Sequence, residues 1–322
     1  MTKVFIDGSA GTTGLRIYDR LAGRADLELI ILPDAVRKDP AARKDAILSS
    51  EITFLCLPDD AAREAVELSD GADTRIIDTS TAHRTADGWT YGFPEIRDLR
   101  QKLLSSRRIA NPGCHASGFI ALVEPLVSAG LISSDVALSA FSLTGYSGGG
   151  KKMIAQYQEA LSAPSEGAGD LPRPFLLFQG GRQYALSQTH KHLPEMMKVC
   201  GLSVAPAFCP IIVPHLSGME TTVTLFARDL KGSPDDIRRV YADLYRDNGL
   251  VRYVADPSEE GVLSSAALSG RDDMEVSVYG NDERILLVAR FDNLGKGASG
   301  AAIQNMNLAL GCPESSGLKL HD

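Results

Sequence analysis

Apolar positions in the first hundred residues fall into short runs separated by helical patterns. Val4-Phe5-Ile6 is a brief apolar run, followed by glycines and then by Leu15, Tyr18 and Leu21 at helical spacing. Leu27 to Leu32 is nearly all apolar, the pattern of a strand buried on both faces. Thr53 to Leu57 and Arg75 to Asp78 repeat it, and Ile109-Ala110 ends the series. This alternation predicts an α/β, Rossmann-type, doubly wound parallel sheet.

Past residue 114 the pattern changes. Ala137 to Thr144, Ala205 to Val213, Thr221 to Ala227, Glu275 to Tyr279 and Ile285 to Phe291 predict longer strands. Val223, Leu225 and Ala227 alternate with Thr222, Thr224 and Phe226, as in a sheet with one covered face. Ile237, Val240, Tyr241, Leu244 and Tyr245 fall at helical spacing behind Ser233 as N-cap and Pro234 as first helical residue. A second, α+β domain with a largely antiparallel sheet follows. The serine- and glycine-rich piece from Ser162 to Gly169 predicts a surface loop.

Composition narrows the class. The 322 residues suggest about two domains, and 44% hydrophobic with 23% charged residues is ordinary for a soluble globular protein. A net charge of -8 gives no ground for nucleic acid or an acidic membrane as partner. No apolar run reaches the roughly 18 residues of a membrane span. Met1-Thr2-Lys3 leads straight into an apolar strand, with no secretory signal. Cys56, Cys114, Cys200, Cys209 and Cys312 are scattered, with no C-x-x-C. That argues against a disulfide framework or zinc site and fits a reducing cytoplasm.

Two segments carry chemistry. Asp7-Gly8-Ser9-Ala10-Gly11-Thr12-Thr13-Gly14 reads strand, tight turn, helix. Its glycines would let the backbone approach a pyrophosphate, which the helix N-terminus stabilises. A glycine-rich turn without ligand is the alternative. At the end of the second strand, Asp34 suits a ribose hydroxyl, whereas Arg37 and Lys38 suit a 2′-phosphate. NADP is preferred; a solvated loop is the alternative for Arg37 and Lys38.

The second segment is Asn111-Pro112-Gly113-Cys114-His115, a turn followed by the apolar helical face of Phe119, Leu122, Val123 and Leu126. Pro125 is expected to limit or kink that helix. Cys114 would sit at its N-terminus, where the dipole favours a thiolate nucleophile. His190 and His192, two apart, would point the same way from an extended segment, and one could serve as acid/base. An H-x-H pair can also bind metal, but no third ligand cluster accompanies it, so no metal is expected. His83, His115, His215 and His321 have no comparable setting. A thiol and a nicotinamide together interconvert an activated acyl group and an aldehyde through a thioester.

These residues resemble the N-acetyl-γ-glutamyl-phosphate reductase family of arginine biosynthesis, in its shorter form. The resemblance covers Gly8 to Gly14, Asp78 to Arg84, Tyr91-Gly92-Phe93-Pro94-Glu95, Asn111 to Cys114 and Gly145 to Lys151. It continues through His190-Lys191-His192-Leu193-Pro194-Glu195, Asp292 to Gly300, and Gln304-Asn305-Met306-Asn307. It implies a cofactor-binding domain of residues 1–113 and 296–322 around a catalytic and dimerisation domain of residues 114–295. It implies NADP(H) as cofactor, with Ser80, Lys296 and Gly297 joining the glycine loop and Arg37. Cys114 would be the nucleophile, with His192, and His190 beside it, as acid/base. Arg84, Arg108, Asn111, Ser147, Lys151 and Lys152 are candidates for the acyl phosphate substrate. A homodimer or homotetramer in the cytoplasm is implied. The longer form has an aromatic where this chain has His115, and an arginine-containing segment where it has Ser217-Gly218-Met219-Glu220.

Aspartate-semialdehyde dehydrogenase shares this chemistry but lacks the Pro-Gly before its cysteine. An amino-adipyl phosphate reductase would differ only in its pocket, and a non-catalytic dinucleotide sensor would keep the fold without the chemistry.

Overall fold

The computed structural model describes residues 1–162, 173–247 and 249–321. Six parallel strands form the first sheet: β1 (Thr2–Asp7), β2 (Leu27–Ile30), β3 (Ile52–Leu55), β4 (Arg75–Asp78), β5 (Thr90–Tyr91) and β6 (Arg108–Ala110), in the order β2-β1-β3-β4-β6-β5. The order reverses between β1 and β3, which opens a crevice at the carboxyl ends of those strands. Helices α1 (Thr12–Leu21), α2 (Pro40–Leu48), α3 (Asp59–Leu68) and α4 (Leu99–Ser105) connect the strands.

Two details differ from the expectation. The buried face of α1 is Gly14, Ile17 and Leu21, while Leu15 and Tyr18 face outward. The run from Leu27 is an edge strand, and only Leu27 within it is buried. The two-residue β5 has too little pattern to be visible in the sequence.

Helix α5 (Cys114–Ser128) leaves the carboxyl end of β6 and runs through the centre of the larger core. It does not stop at Pro125. That proline cannot donate to the carbonyl of Ala121, four residues back. The hydroxyl of Tyr245 donates to that carbonyl instead, at 2.8 Å, and Tyr241 donates to the next one, Leu122.

The second sheet contains β7 (Ser139–Gly145), β8 (Arg182–Gln183), β9 (Ala207–Val213), β10 (Met219–Phe226), β11 (Val251–Tyr253), β12 (Met274–Gly280) and β13 (Arg284–Phe291). Its order is β11-β12-β13-β10-β7-β9-β8, with parallel pairing at β11–β12 and β7–β9 and antiparallel pairing elsewhere. Along β10 burial alternates as expected: Met219, Thr221, Val223 and Leu225 face the core. Ala227 departs from that face because the chain turns into a short 3-10 segment there.

Helices α6 (Gly150–Ser162), α7 (Arg173–Gln179), α8 (Leu193–Cys200) and α9 (Pro234–Leu244) flank this sheet. Ser233 caps α9 and Pro234 opens it as expected, and Asp236 makes the cap a reciprocal capping box. Of the loop expected from Ser162 to Gly169, Ser162 is instead the last residue of α6, and 163–169 lie outside the described residues.

A five-residue π turn, Gly295–Ser299, leads into the last helix, α10 (Gly300–Ala309). Ala302, Ile303 and Met306 of α10 pack with Val4, Ile6, Phe54 and Ile77, so the chain closes on the sheet where it began. Among the described residues no helix is long and apolar enough to cross a membrane.

Candidate active site

The carboxyl ends of β1 and β6, the π turn and the β7 edge of the second sheet enclose one cleft of about 500 Å³. Thr12, Thr13, Arg84, Asn111, Cys114, Ser147, His190, His192 and Gly297 all line it. Residues more than 280 positions apart in sequence thus meet at one place.

The glycine loop fits a dinucleotide phosphate. Gly8 has a φ of 86°, and a Cβ there would overlap the carbonyl of Cys56. A Cβ on Gly14 would overlap the carbonyl of Gly8. Gly11 donates its N–H to Gly8 at 2.9 Å and precedes α1 with no side-chain cap. The first N–H groups of α1, with Thr12 and Thr13 on the cleft wall, therefore remain for an anion. Arg37 lies on the turn after β2, paired with Asp34 at 3.1 Å, so the two competing candidates for ribose recognition hold each other.

The cysteine turn is built around Glu195. This buried carboxylate accepts from Arg84 at 2.9 Å, from the hydroxyl of Tyr91 at 2.8 Å and from the N–H of Gly113 at 3.2 Å. Arg84 also donates to the carbonyls of Asn111 at 3.0 Å and Thr79 at 3.1 Å. Asn111 clamps the π turn and α10, donating to Ala298 at 3.0 Å and accepting from Asn305 at 3.2 Å. A Cβ on Gly113 would lie 2.6 Å from Nε2 of His192 and overlap Arg84, so the turn needs glycine there. Gly297 is close but less tight, since its Cβ would stand 3.0 Å from that of Cys114.

Cys114 opens α5 as expected. Its thiol, however, is not held ionised. Burial pushes it above the ordinary thiol range, and the pull of Arg84 only offsets part of that. A nucleophilic role for this sulfur would therefore need a base beside it to take the proton.

Three imidazoles stand ready. Ring centroids of His190 and His192 are 4.6 Å apart, and His115 lies 5.6 and 5.7 Å from them. The dismissal of His115 is thus corrected: the first turn of α5 aims it into the same cluster. Burial keeps all three neutral. His192 is held well below the usual imidazole range, with Arg84 adding to burial. His190 is lowered to about 4 and His115 to about 3. Nδ1 of His190 accepts from the N–H of His192 at 3.1 Å, so its proton sits on Nε2. Nδ1 of His192 is buried and has no hydrogen-bond partner among the described residues. Among the described residues no group of three His, Cys, Asp or Glu has metal-holding geometry.

Several expected residues are elsewhere. Arg108 starts β6, at the end of the strand away from the cysteine turn, and donates to Ser69 at 3.0 Å. Lys296 points inward, its buried ammonium bonded to Glu95 at 2.7 Å and Gln304 at 2.5 Å. The hydroxyl of Ser80 is committed to Asp78 at 2.7 Å. Lys151 and Lys152 are exposed on the first turn of α6, beside the cleft rather than in its lining. Ser147 is buried on the wall and accepts from Asn293 at 3.0 Å. Two cations the sequence reading missed, Arg182 and Lys191, do line the cleft. The guanidinium of Arg182 lies over Phe178, 4.5 Å from its ring centre, which presets its direction.

Comparison with known proteins agrees with this architecture. The family described as semialdehyde dehydrogenase, NAD binding domain, matches residues 3–104, and semialdehyde dehydrogenase, dimerisation domain, matches residues 114–293. N-acetyl-gamma-glutamyl-phosphate reductase 2 of Nostoc sp. is 41% identical over 98% of this chain and 99% of its own length. The reductase of Brucella ovis is 43% identical over 96% of this chain and 99% of its own. Among solved structures, aspartate semialdehyde dehydrogenase from Francisella tularensis superposes with a TM-score of 0.73 at 15% identity, covering 96% of this chain and 99% of that one. Aspartate semialdehyde dehydrogenase II from Vibrio cholerae gives 0.72 at 15% identity, over 96% and 98%. At that identity the likeness concerns the fold alone. The glycine loop, the cysteine turn and these relatives lead to one conclusion: the chain belongs to the N-acetyl-γ-glutamyl-phosphate reductase family, oxidoreductases of semialdehyde dehydrogenase architecture with a nicotinamide dinucleotide-binding domain.

Proposed function

We propose that this protein catalyses the reversible NADPH-dependent reduction of N-acetyl-L-glutamyl 5-phosphate to N-acetyl-L-glutamate 5-semialdehyde and phosphate, in arginine biosynthesis. The observation that carries this reading is Cys114 at a helix start, in one cleft with three imidazoles and the glycine loop. Residues 1–113 with 296–322 form the cofactor domain, and 114–295 the catalytic one.

An imidazole takes the thiol proton as the sulfur attacks the acyl carbon. The C–O bond to phosphate breaks, and an enzyme thioester forms. NADPH, when bound, supplies a hydride to that carbon. The imidazolium formed in the first step gives its proton to the carbonyl oxygen, while Nε2–H of His190 and backbone N–H groups at the start of α5 stabilise the developing charge by hydrogen bonds. Return of that proton lets the C–S bond break, releasing the aldehyde and restoring the thiol. The orientation of His190 favours it over His192 as the group facing substrate. Arg84, bound to Glu195, and Arg182 and Lys191 on the wall supply positive charge for the phosphate and carboxylates. Glycine-loop N–H groups would hold the pyrophosphate, and Arg37 the 2′-phosphate.

The outer face of the second sheet presents Phe141, Phe226 and Leu286, each more than a third exposed. That face suits pairing of two copies, and the free thiols suit a reducing cytoplasm. The deciding experiment is oxidation of N-acetylglutamate, aspartate and N-acetylamino-adipate semialdehydes with phosphate and NADP. The first should react fastest, and Cys114→Ser should abolish turnover while NADP still binds. Near-normal turnover by that variant would rule out the thioester route.

A further inference from the structure

We propose that His115 is a positioning residue: with Ser142 and Thr221 it orients the hydroxyl of Tyr184 so that this hydroxyl donates a hydrogen bond to bound substrate. The inference rests on the reductase reading above and adds to it a substrate-contacting group and the device that aims it.

Nε2 of His115 lies 2.7 Å from the hydroxyl oxygen of Tyr184, and Nδ1 lies 2.7 Å from Oγ of Ser142. Ser142 in turn lies 2.9 Å from Oγ1 of Thr221. Ser142 and Thr221 are fully buried and His115 is 2% exposed, whereas Tyr184 is half-buried and stands on the cleft wall. The chain of polar atoms therefore runs from the sheet interior to the cleft, and its open end is the tyrosine oxygen.

The direction of donation follows from the closed end. Among the described residues Oγ1 of Thr221 has no other hydrogen-bond partner. If every hydrogen bond pointed inward, the threonine hydroxyl would end the series as a buried donor without acceptor. Pointing outward, it leaves only an unused lone pair, which costs less. Thr221 then donates to Ser142, Ser142 to Nδ1 of His115, and Nε2–H of His115 to Tyr184. The tyrosine proton is left over for the cleft. A neutral imidazole is required for this relay, and burial keeps His115 neutral.

Packing alone does not call for histidine here. The ring lies edge-on to Phe208 at 5.4 Å and beside His190 and His192. Phenylalanine would fill that space without desolvating two nitrogens. What histidine adds is the link to Tyr184, whose ring lies 5.6 Å from that of His190. The hydroxyl so held is on the same wall as that proposed hydrogen-bond donor.

The test is a double-mutant cycle on kcat/KM for the phosphate-dependent oxidation, joined to nitrogen-15 NMR of the resting protein. His115→Phe and Tyr184→Phe should each lower kcat/KM about tenfold. The double variant should be no worse than either single one, and His115→Gln, which keeps a donor and an acceptor, should recover part of the loss. If His115→Phe does not fold, Ser142→Ala replaces it in the same cycle. NMR should find the His115 proton on Nε2. Losses that multiply, a Tyr184→Phe variant within twofold of the parent, or a proton on Nδ1 would each overturn the proposal. The tautomer is read without substrate, so a protein inactive on every semialdehyde would refute the reductase reading and still leave this orientation measured.

Discussion

Arg84 and Glu195 form a buried ion pair at 2.9 Å immediately behind the cysteine turn. The two charges pull the Cys114 thiol in opposite directions, Arg84 down and Glu195 up. Glu195→Gln should therefore lower the thiol pKa, and Arg84→Met should raise it. The pH dependence of Cys114 alkylation reads both. Midpoints that stay with the parent in both variants would show that the pair does not act on the sulfur. Both changes break a buried pair, so a stability loss of about 3–5 kcal/mol is expected alongside.

Tyr245 takes over the bond that Pro125 cannot make. Tyr245→Phe should cost about 1–2 kcal/mol, because the Ala121 carbonyl is left buried without a donor. In a Pro125→Ala background the backbone N–H returns, and the same change should cost clearly less. Urea unfolding of the four proteins measures the difference. Equal costs in both backgrounds would mean the tyrosine matters only for packing.

Acid should destabilise the fold through its neutral histidines. The folded pKa of His115 is about 3, below the roughly 6.5 of an unfolded chain. Between those values the unfolded state binds the proton and the native state does not. Stability is therefore complete above pH 6.5 and falls as pH drops toward 3, by up to about 1.4 kcal/mol per pH unit for this group. His190, at about 4, adds in the same sense over a narrower window. Urea midpoints taken from pH 7.5 to 4.5 should fall steeply in the parent and less steeply in His115→Phe. Parallel slopes would place the acid sensitivity elsewhere.

The role proposed for Arg37 in cofactor preference has a direct test. Replacing it with alanine should weaken NADP about tenfold while leaving NAD nearly unchanged. The pairing with Asp34 makes Asp34→Ala a useful companion, since it frees the guanidinium. Fluorescence titration with both dinucleotides gives the ratio. A constant ratio in Arg37→Ala would remove the residue from the ribose site.

Local pattern carries information about local geometry, and here it reached both functional loops. Gly8 to Gly14 and Asn111 to Cys114 are turns whose residue types dictate their own backbone. What it could not carry is how distant pieces face one another. Glu195 sits in a recognisable segment, yet its partners at positions 84, 91 and 113 become visible only in the fold. Arg108 is close to Cys114 in sequence, but β6 places it at the other end of the strand. His115 looks like a bystander until Ser142 and Tyr184 close on it from another sheet. Pro125 signals a helix end by every local rule, and a tyrosine 120 positions later cancels the signal.

The π turn at Gly295–Ser299 sets its Gly297 against Cys114, and α10 behind it completes the first sheet. During synthesis the ribosome releases the cysteine almost two hundred residues before that wall exists. Until then the growing polypeptide holds the glycine loop, Cys114 and all three imidazoles without the turn that packs against the sulfur. One wall of the cleft, with Leu294, Gly297 and Ala298, is therefore the last to be synthesised, and a product truncated before it would lack that side of the cavity.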